Sequence, residues 1–108
     1  MAHNELVQEI TGNKFDECIK KGVVVVDFFA DWCMPCVMMS SVVDNVAEKF
    51  KGKIKFCKVN IEDNSELAQK FEVMSIPNII LFKDGKVIKR FLGAMSEEDF
   101  EEKLNKLL

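Results

Sequence analysis

Residues 23 to 41 constrain what this chain can become. They read Val23-Val24-Val25-Val26-Asp27-Phe28-Phe29-Ala30-Asp31-Trp32-Cys33-Met34-Pro35-Cys36, then Val37-Met38-Met39-Ser40-Ser41. The opening run is short, β-branched and almost wholly apolar, which is how a buried strand reads. Pro35 suits the first turn of a helix, where its missing N–H costs nothing. The residues after it have helical periodicity. Two cysteines therefore fall where a strand hands over to a helix N-terminus. Unpaired backbone N–H groups and a partial positive charge collect there and favour a thiolate on Cys33. A C-x-x-C pair in that place can open and close as a disulfide.

The flanking sequence supplies the rest of an α/β domain. Residues 1 to 12 hold a short strand or helix around Leu6, Val7 and Ile10. Asn13 is positioned to cap a helix bearing Phe15, Cys18 and Ile19, stopped by Gly22. Residues 34 to 50 form the main helix, with Val37, Val42, Val43, Val46, Ala47 and Phe50 as its apolar stripe. Ile54 to Ile61 is a second buried strand. Asp63 and Glu66 look like a capping box opening a short helix, Ser65 to Phe71. Ile76-Pro77 interrupts the pattern. Asn78 to Phe82 and Val87 to Phe91 are two strands joined by a turn at Asp84-Gly85. Gly93 breaks the second of them. Ser96, with Asp99 three residues on, opens a last helix whose Phe100, Leu104 and Leu107 share a face. This order predicts parallel strands in the first half and an antiparallel pair after it.

Composition narrows the function. The 108 residues suffice for a single domain, residues 1–108, with one core. The net charge is only −3 and both signs are interspersed, which excludes the clustered basic face of a nucleic-acid binder. The longest apolar runs fall far short of a membrane span, and the N-terminus lacks the basic-then-apolar order of a secretory signal. A chain with four cysteines can be a disulfide framework. Here the core is large enough without staples, and a cytoplasmic setting with one working pair fits better.

C-x-x-C can be half of a zinc site, a redox pair, the nucleophile of a Cys–His hydrolase, or a coincidence of two buried structural cysteines. A zinc site needs two more ligands, and Cys18, Cys57 and His3 offer no second pair at zinc spacing. A Cys–His hydrolase needs a positioned base, for which His3 is poorly placed. A redox pair needs nothing further. Asp27 is the informative polar residue, because a carboxylate inside an apolar strand costs free energy unless partnered. Burial would raise its pKa and make it a base for Cys36. The plainer alternative puts it at a strand end, facing water. Cys18 and Cys57 read most simply as small buried hydrophobes, with a regulatory disulfide between them possible but unsupported.

Val25 to Cys36 closely resembles the active-site segment of thioredoxins, whose usual form is W-C-G-P-C. The likeness spans the chain. Lys58-Val59-Asn60-Ile61 resembles the family's third strand, Ser75-Ile76-Pro77 its cis-proline loop, Phe82-Lys83-Asp84-Gly85 its hairpin turn, and Gly93-Ala94 its late glycine. The resemblance implies a thioredoxin fold, a central mixed five-stranded sheet flanked by four helices. The implied activity is reduction of protein disulfides by dithiol–disulfide exchange through Cys33 and Cys36. No bound cofactor is implied beyond that redox-active disulfide, and no metal. The implied partners are disulfide-containing proteins and a thioredoxin reductase, with the chain acting as a monomer.

Carried over residue by residue, Cys33 is the attacking thiol and Cys36 the resolving one. Asp27 matches the family's buried aspartate, and Lys58 the lysine on the adjacent strand that would partner it. Ile76 and Pro77 match the cis-proline pair facing the cysteines, where a missing N–H shapes a groove for substrate backbone. Trp32, Met34, Pro35 and Gly93 complete the expected substrate surface, with Met34, Met74 and Met95 as a soft apolar rim. The chain departs from the family pattern at Met34 (usually glycine), Phe29 (tryptophan), Val37 (a basic residue), Ser41 (proline) and Asn78 (threonine). Neither Met34 nor Pro35 is charged, which favours a reductant over an oxidant. The alternatives are a binding or chaperone-like subunit with incidental cysteines, or a more oxidising disulfide isomerase.

Overall fold

A computed structural model describes residues 5–108. Its elements run β1 (Val7–Glu9), α1 (Gly12–Ile19), β2 (Val23–Phe29), α2 (Met34–Lys49), β3 (Lys55–Asn60), α3 (Ser65–Lys70), β4 (Asn78–Lys83), β5 (Lys86–Leu92) and α4 (Glu97–Asn105). The strands form one sheet in the order β1-β3-β2-β4-β5. β1 and β2 both run parallel to β3, while β4 is antiparallel to β2 and β5. This is the mixed five-stranded sheet with four helices that the sequence implied. The short segment around Val7 resolves as its edge strand.

β2 is central because every residue from Val24 to Phe28 can be buried. Alternation along the strand divides the core in two. Val25, with Ile79 and Leu81 of β4, packs under α2 and α4 against Met39, Val43, Val46, Phe100 and Leu104. Val24, Val26 and Phe28 pack on the opposite side against Phe15, Cys18 and Ile19 of α1, with Leu67 of α3 and Phe71 just past it. Fully burying a side chain of this size contributes about 1.5–3 kcal/mol. The two layers clamp β2, and the Cys33–Cys36 segment leaves directly from its C-terminal end.

The β4–β5 turn forms as expected. Asp84 and Gly85 both have positive φ, 50° and 87°, the pairing that a two-residue hairpin of matching twist requires. Ser96 caps α4 through its hydroxyl, which accepts from the Asp99 N–H at 3.1 Å.

Three local expectations are corrected. Thr11, not Asn13, occupies the N-cap of α1. The Asp63/Glu66 capping box does not form. Asn64 is the N-cap residue of α3, and its side chain is spent on tying neighbouring segments together. Its Oδ1 accepts from the Gly12 N–H at 2.8 Å, and its Nδ2 donates to the Asn60 carbonyl at 2.9 Å. On α2 the buried positions are Cys36, Met39, Val43, Val46 and Ala47. Val37 lies outward instead. A stripe phased from Cys36 at spacings of three and four selects Met39, and Val37 sits about 100° round the helix from Cys36.

Candidate active site

The cysteine pair is built by the end of β2 and the start of α2. Cys33 is the N-cap residue in an extended conformation, and its Sγ accepts the Cys36 backbone N–H at 3.2 Å. Cys36 follows one turn on inside the helix, and the two are joined as a disulfide with Cα atoms 5.2 Å apart. The helix places its free N–H groups and the positive end of its dipole at Cys33, which stabilises the anion released when that bond is reduced. Exposure does not separate the two sulfurs. Cys33 is 4% exposed and Cys36 3%. Ala30, Phe29, Ile61 and Ile76 pack around the pair. What distinguishes Cys33 is its place at the helix cap.

The loop before β4 faces the pair. The Ile76–Pro77 peptide bond is cis. The Ile76 carbonyl oxygen lies 3.9 Å from Cys33 Sγ, a contact that becomes a hydrogen bond only when Cys33 carries a proton. Pro77 is buried and Ile76 half-buried. Gly93, with φ of 83°, donates its N–H to the Pro77 carbonyl at 2.9 Å, holding the end of β5 against the loop.

Two residues that sequence reasoning did not assign fix this loop. Buried Asn78 donates from Nδ2 to the Ser75 carbonyl at 3.3 Å. Arg90 on β5 donates to Asn78 Oδ1 at 3.3 Å and to the carbonyl of Phe71, just past α3. The available signal was that Arg90 is the only arginine in a lysine-rich chain, and a planar fork of donors suits bridging two acceptors.

Asp27 is buried, 2% exposed, and by strand alternation lies on the Val25 face, toward α2. Among the described residues its Oδ1 has no hydrogen-bond partner. Burial pushes its carboxyl up to about 7. The Lys58 charge pulls the other way, and Asp44 adds a smaller push upward. Lys58 is Asp27's neighbour in register on β3, but the expected ion pair is absent among the described residues. The ammonium lies over the Phe29 ring, 5.7 Å from its centroid. Lys58 therefore acts on Asp27 as a nearby charge, not as a bonded partner.

An exposed apolar surface accompanies the pair. Trp32 (66% exposed), Met34, Val37, Met38 and Met74 are all open to solvent. Met38 and Val37 were not foreseen there. Pro35 is exposed beside them. Met95 does not join this rim, because it packs against the α2/α4 core instead. No group of three or more potential metal ligands occurs among the described residues, and His3 lies outside them. None of their helices is long and apolar enough to cross a membrane.

Comparison with known proteins agrees with this geometry. A family model described as Thioredoxin matches residues 6–106. A thioredoxin of Staphylococcus haemolyticus is 41% identical over 102 residues, covering 94% of this chain and 98% of the relative. Thioredoxins of Staphylococcus saprophyticus and Staphylococcus aureus are 39% and 38% identical over the same shares of each chain.

Proposed function

The chain belongs to the thioredoxin family, and from that premise we propose how its residues divide the work of dithiol–disulfide exchange. It is a thiol–disulfide oxidoreductase that reduces protein disulfides through Cys33 and Cys36. In the proposed division, the Cys33 thiolate attacks one sulfur of a substrate disulfide. The substrate S–S bond breaks, a Cys33–substrate disulfide forms, and the departing substrate sulfur takes up a proton. Cys36 then attacks Cys33 Sγ and releases the second substrate thiolate, leaving the Cys33–Cys36 disulfide. Asp27, directly or through water, takes the Cys36 proton. A carboxyl with pKa about 7 is matched to that task at neutral pH. Lys58 tunes Asp27 through its charge.

The remaining residues bind. Ile76 and Pro77 present backbone without an N–H at Pro77, so an extended substrate segment can lie against the loop, with Gly93 supporting it from β5. Trp32, Met34 and Pro35 give substrates of varied sequence an adaptable apolar surface. The partners are disulfide-containing proteins and a reductase that returns electrons to the pair. We place the protein in the cytoplasm as a monomer of one domain, residues 1–108, carrying electrons without a bound cofactor.

The observation that carries this reading is the disulfide at the cap of α2, packed against Ile76 of the cis-proline loop. Insulin reduction by dithiothreitol tests it. Catalysed precipitation is expected well above the dithiothreitol background. A rate no faster than background would instead fit a binding subunit with incidental cysteines. A reduction potential near the reducing end of the family, about −270 mV, separates a reductant from an isomerase or oxidant.

A further inference from the structure

We propose that Cys18 and Cys57 form a second dithiol site, which a small hydroperoxide oxidises to an intramolecular disulfide that staples α1 to β3. The two thiols come from different elements. Cys18 lies in the last turn of α1 and Cys57 in the middle of β3, yet their sulfurs are 3.2 Å apart. A disulfide needs about 2.05 Å, so closure asks only for an approach of about 1 Å. Both thiols are buried and neither is bonded. Burial alone would leave them inert, but both line a cleft of about 420 Å³ beside the edge strand β1. That volume admits a small peroxide.

The surroundings assign the roles. Lys55 lines the same cleft, and its ammonium donates to the Cys18 carbonyl at 3.4 Å. The contact with Cys57, together with the Lys55 charge, holds the Cys18 thiol below its usual range. The same contact and deeper burial push the Cys57 thiol up. Cys18, whose backbone carbonyl the Lys55 ammonium contacts, is thus assigned the attacking role and the more deeply buried Cys57 the resolving one. This gives a nucleophile and a protonated resolving thiol within reach of each other.

The chemistry balances with the peroxide as oxidant. The Cys18 thiolate attacks one peroxide oxygen and the O–O bond breaks. The other oxygen leaves as water or an alcohol after taking a proton, and Cys18 becomes a sulfenic acid. The Cys57 sulfur then attacks Cys18 Sγ, the S–O bond breaks, and hydroxide leaves with the Cys57 proton as water. Two thiols are oxidised and one peroxide is reduced. Neither step uses Cys33 or Cys36.

The test uses the fully reduced protein treated with hydrogen peroxide under non-denaturing conditions, in wild type and in Cys33→Ser/Cys36→Ser. Peptide mapping of the wild type is expected to recover a Cys18–Cys57 cross-link that dithiothreitol reverses. The double variant is expected to go from two titratable thiols to none, with the mass falling by two hydrogens and Tm rising by several degrees. Cys57→Ala should stop at a Cys18 sulfenic acid that dimedone captures. Thiols still titratable after treatment, oxygen added without a cross-link, or a cross-link only between chains would each overturn the proposal. The wild-type map decides the matter even where a variant fails to fold.

Discussion

The two cysteine pairs are almost equally hidden, with all four residues between 2% and 7% exposed, yet their settings differ. Cys33 and Cys36 sit at a helix cap beside exposed apolar side chains. Buried Asp27, whose Oδ1 has no hydrogen-bond partner among the described residues, lies on the strand that leads to them. Cys18 and Cys57 meet between a helix and a strand, beside Lys55 and a cleft of about 420 Å³. The contrast teaches that burial does not decide what a thiol does. The first setting stabilises an anion and offers a protein surface somewhere to rest. The second holds two thiols against each other beside a cleft that admits a small oxidant.

The contrast is broken most severely by removing one sulfur. Cys33→Ser should reduce insulin-disulfide cleavage to the dithiothreitol background, a loss of several orders of magnitude. Cys36→Ser should trap protein substrates as stable mixed disulfides through Cys33. Mapping those adducts by mass spectrometry checks the division, because Cys57→Ser should trap none. Protein adducts on Cys36, Cys18 or Cys57 would mean that the helix cap does not select the nucleophile.

The next effect tests the buried carboxylate that the proposed mechanism assigns to the first pair. Asp27 holds its proton more tightly when folded, with its pKa raised from 3.8 to about 7. The resulting stability is fully present below the unfolded value and is lost as pH rises through the folded one. Above pH 7 the charged carboxylate therefore weakens the fold, by at most roughly 4 kcal/mol for that gap in pKa. Asp27→Asn should raise stability at pH 8 and change it little at pH 4. It should also slow release of substrate from the Cys33 adduct about tenfold. Thermal melts at the two pH values and single-turnover release measure both. A shift independent of pH would mean the carboxyl is not desolvated, and an unchanged release rate would remove it from the mechanism.

A smaller effect separates positioning from chemistry. Arg90→Met removes both donors that tie the Ser75–Asn78 loop to β5 and to the end of α3. Hydrogen bonds to a charged group contribute about 1.5–3 kcal/mol each, so Tm should fall by several degrees. KM for a protein disulfide should rise severalfold, while the alkylation rate of Cys33 by a small reagent stays the same. Equal losses in both rates would instead place Arg90 in the thiolate's own environment.

Much of this was legible because local signals agreed with one another. The apolar run of β2, Pro35 at the first turn of α2, the Asp84-Gly85 turn and the Ser96 cap each specify a local geometry. What escaped the sequence depended on pairings between distant segments. The 39-residue separation of Cys18 and Cys57 hides their contact. Lys58 could be placed beside Asp27 by register, but nothing local says that its ammonium would settle over Phe29. The α2 stripe was misphased because β-branched Val37 looked like better core than Met39, whereas helix geometry from Cys36 selects the methionine.

The smallest expected effect concerns Met34, the residue between the cysteines that departs most visibly from the family pattern. Its side chain is 70% exposed and carries no charge, so it takes no part in electron transfer. It does occupy the first turn of α2, where a side chain restricts the backbone and glycine would not. That backbone presents the Cys36 N–H to Cys33 Sγ at 3.2 Å. Met34→Gly loosens the turn and with it the hydrogen bond that stabilises the reduced Cys33 thiolate. Loss of helix propensity at this position costs about 1 kcal/mol or less. Insulin reduction should persist within a fewfold of wild type. The reduction potential should move by about 10–30 mV toward more reducing values, because weaker stabilisation of the thiolate favours the disulfide. Equilibration with a glutathione redox buffer reads that shift. Complete loss of activity would show that the Met34 side chain is itself required. An unchanged potential would show that the cap hydrogen bond is indifferent to the residue beside it.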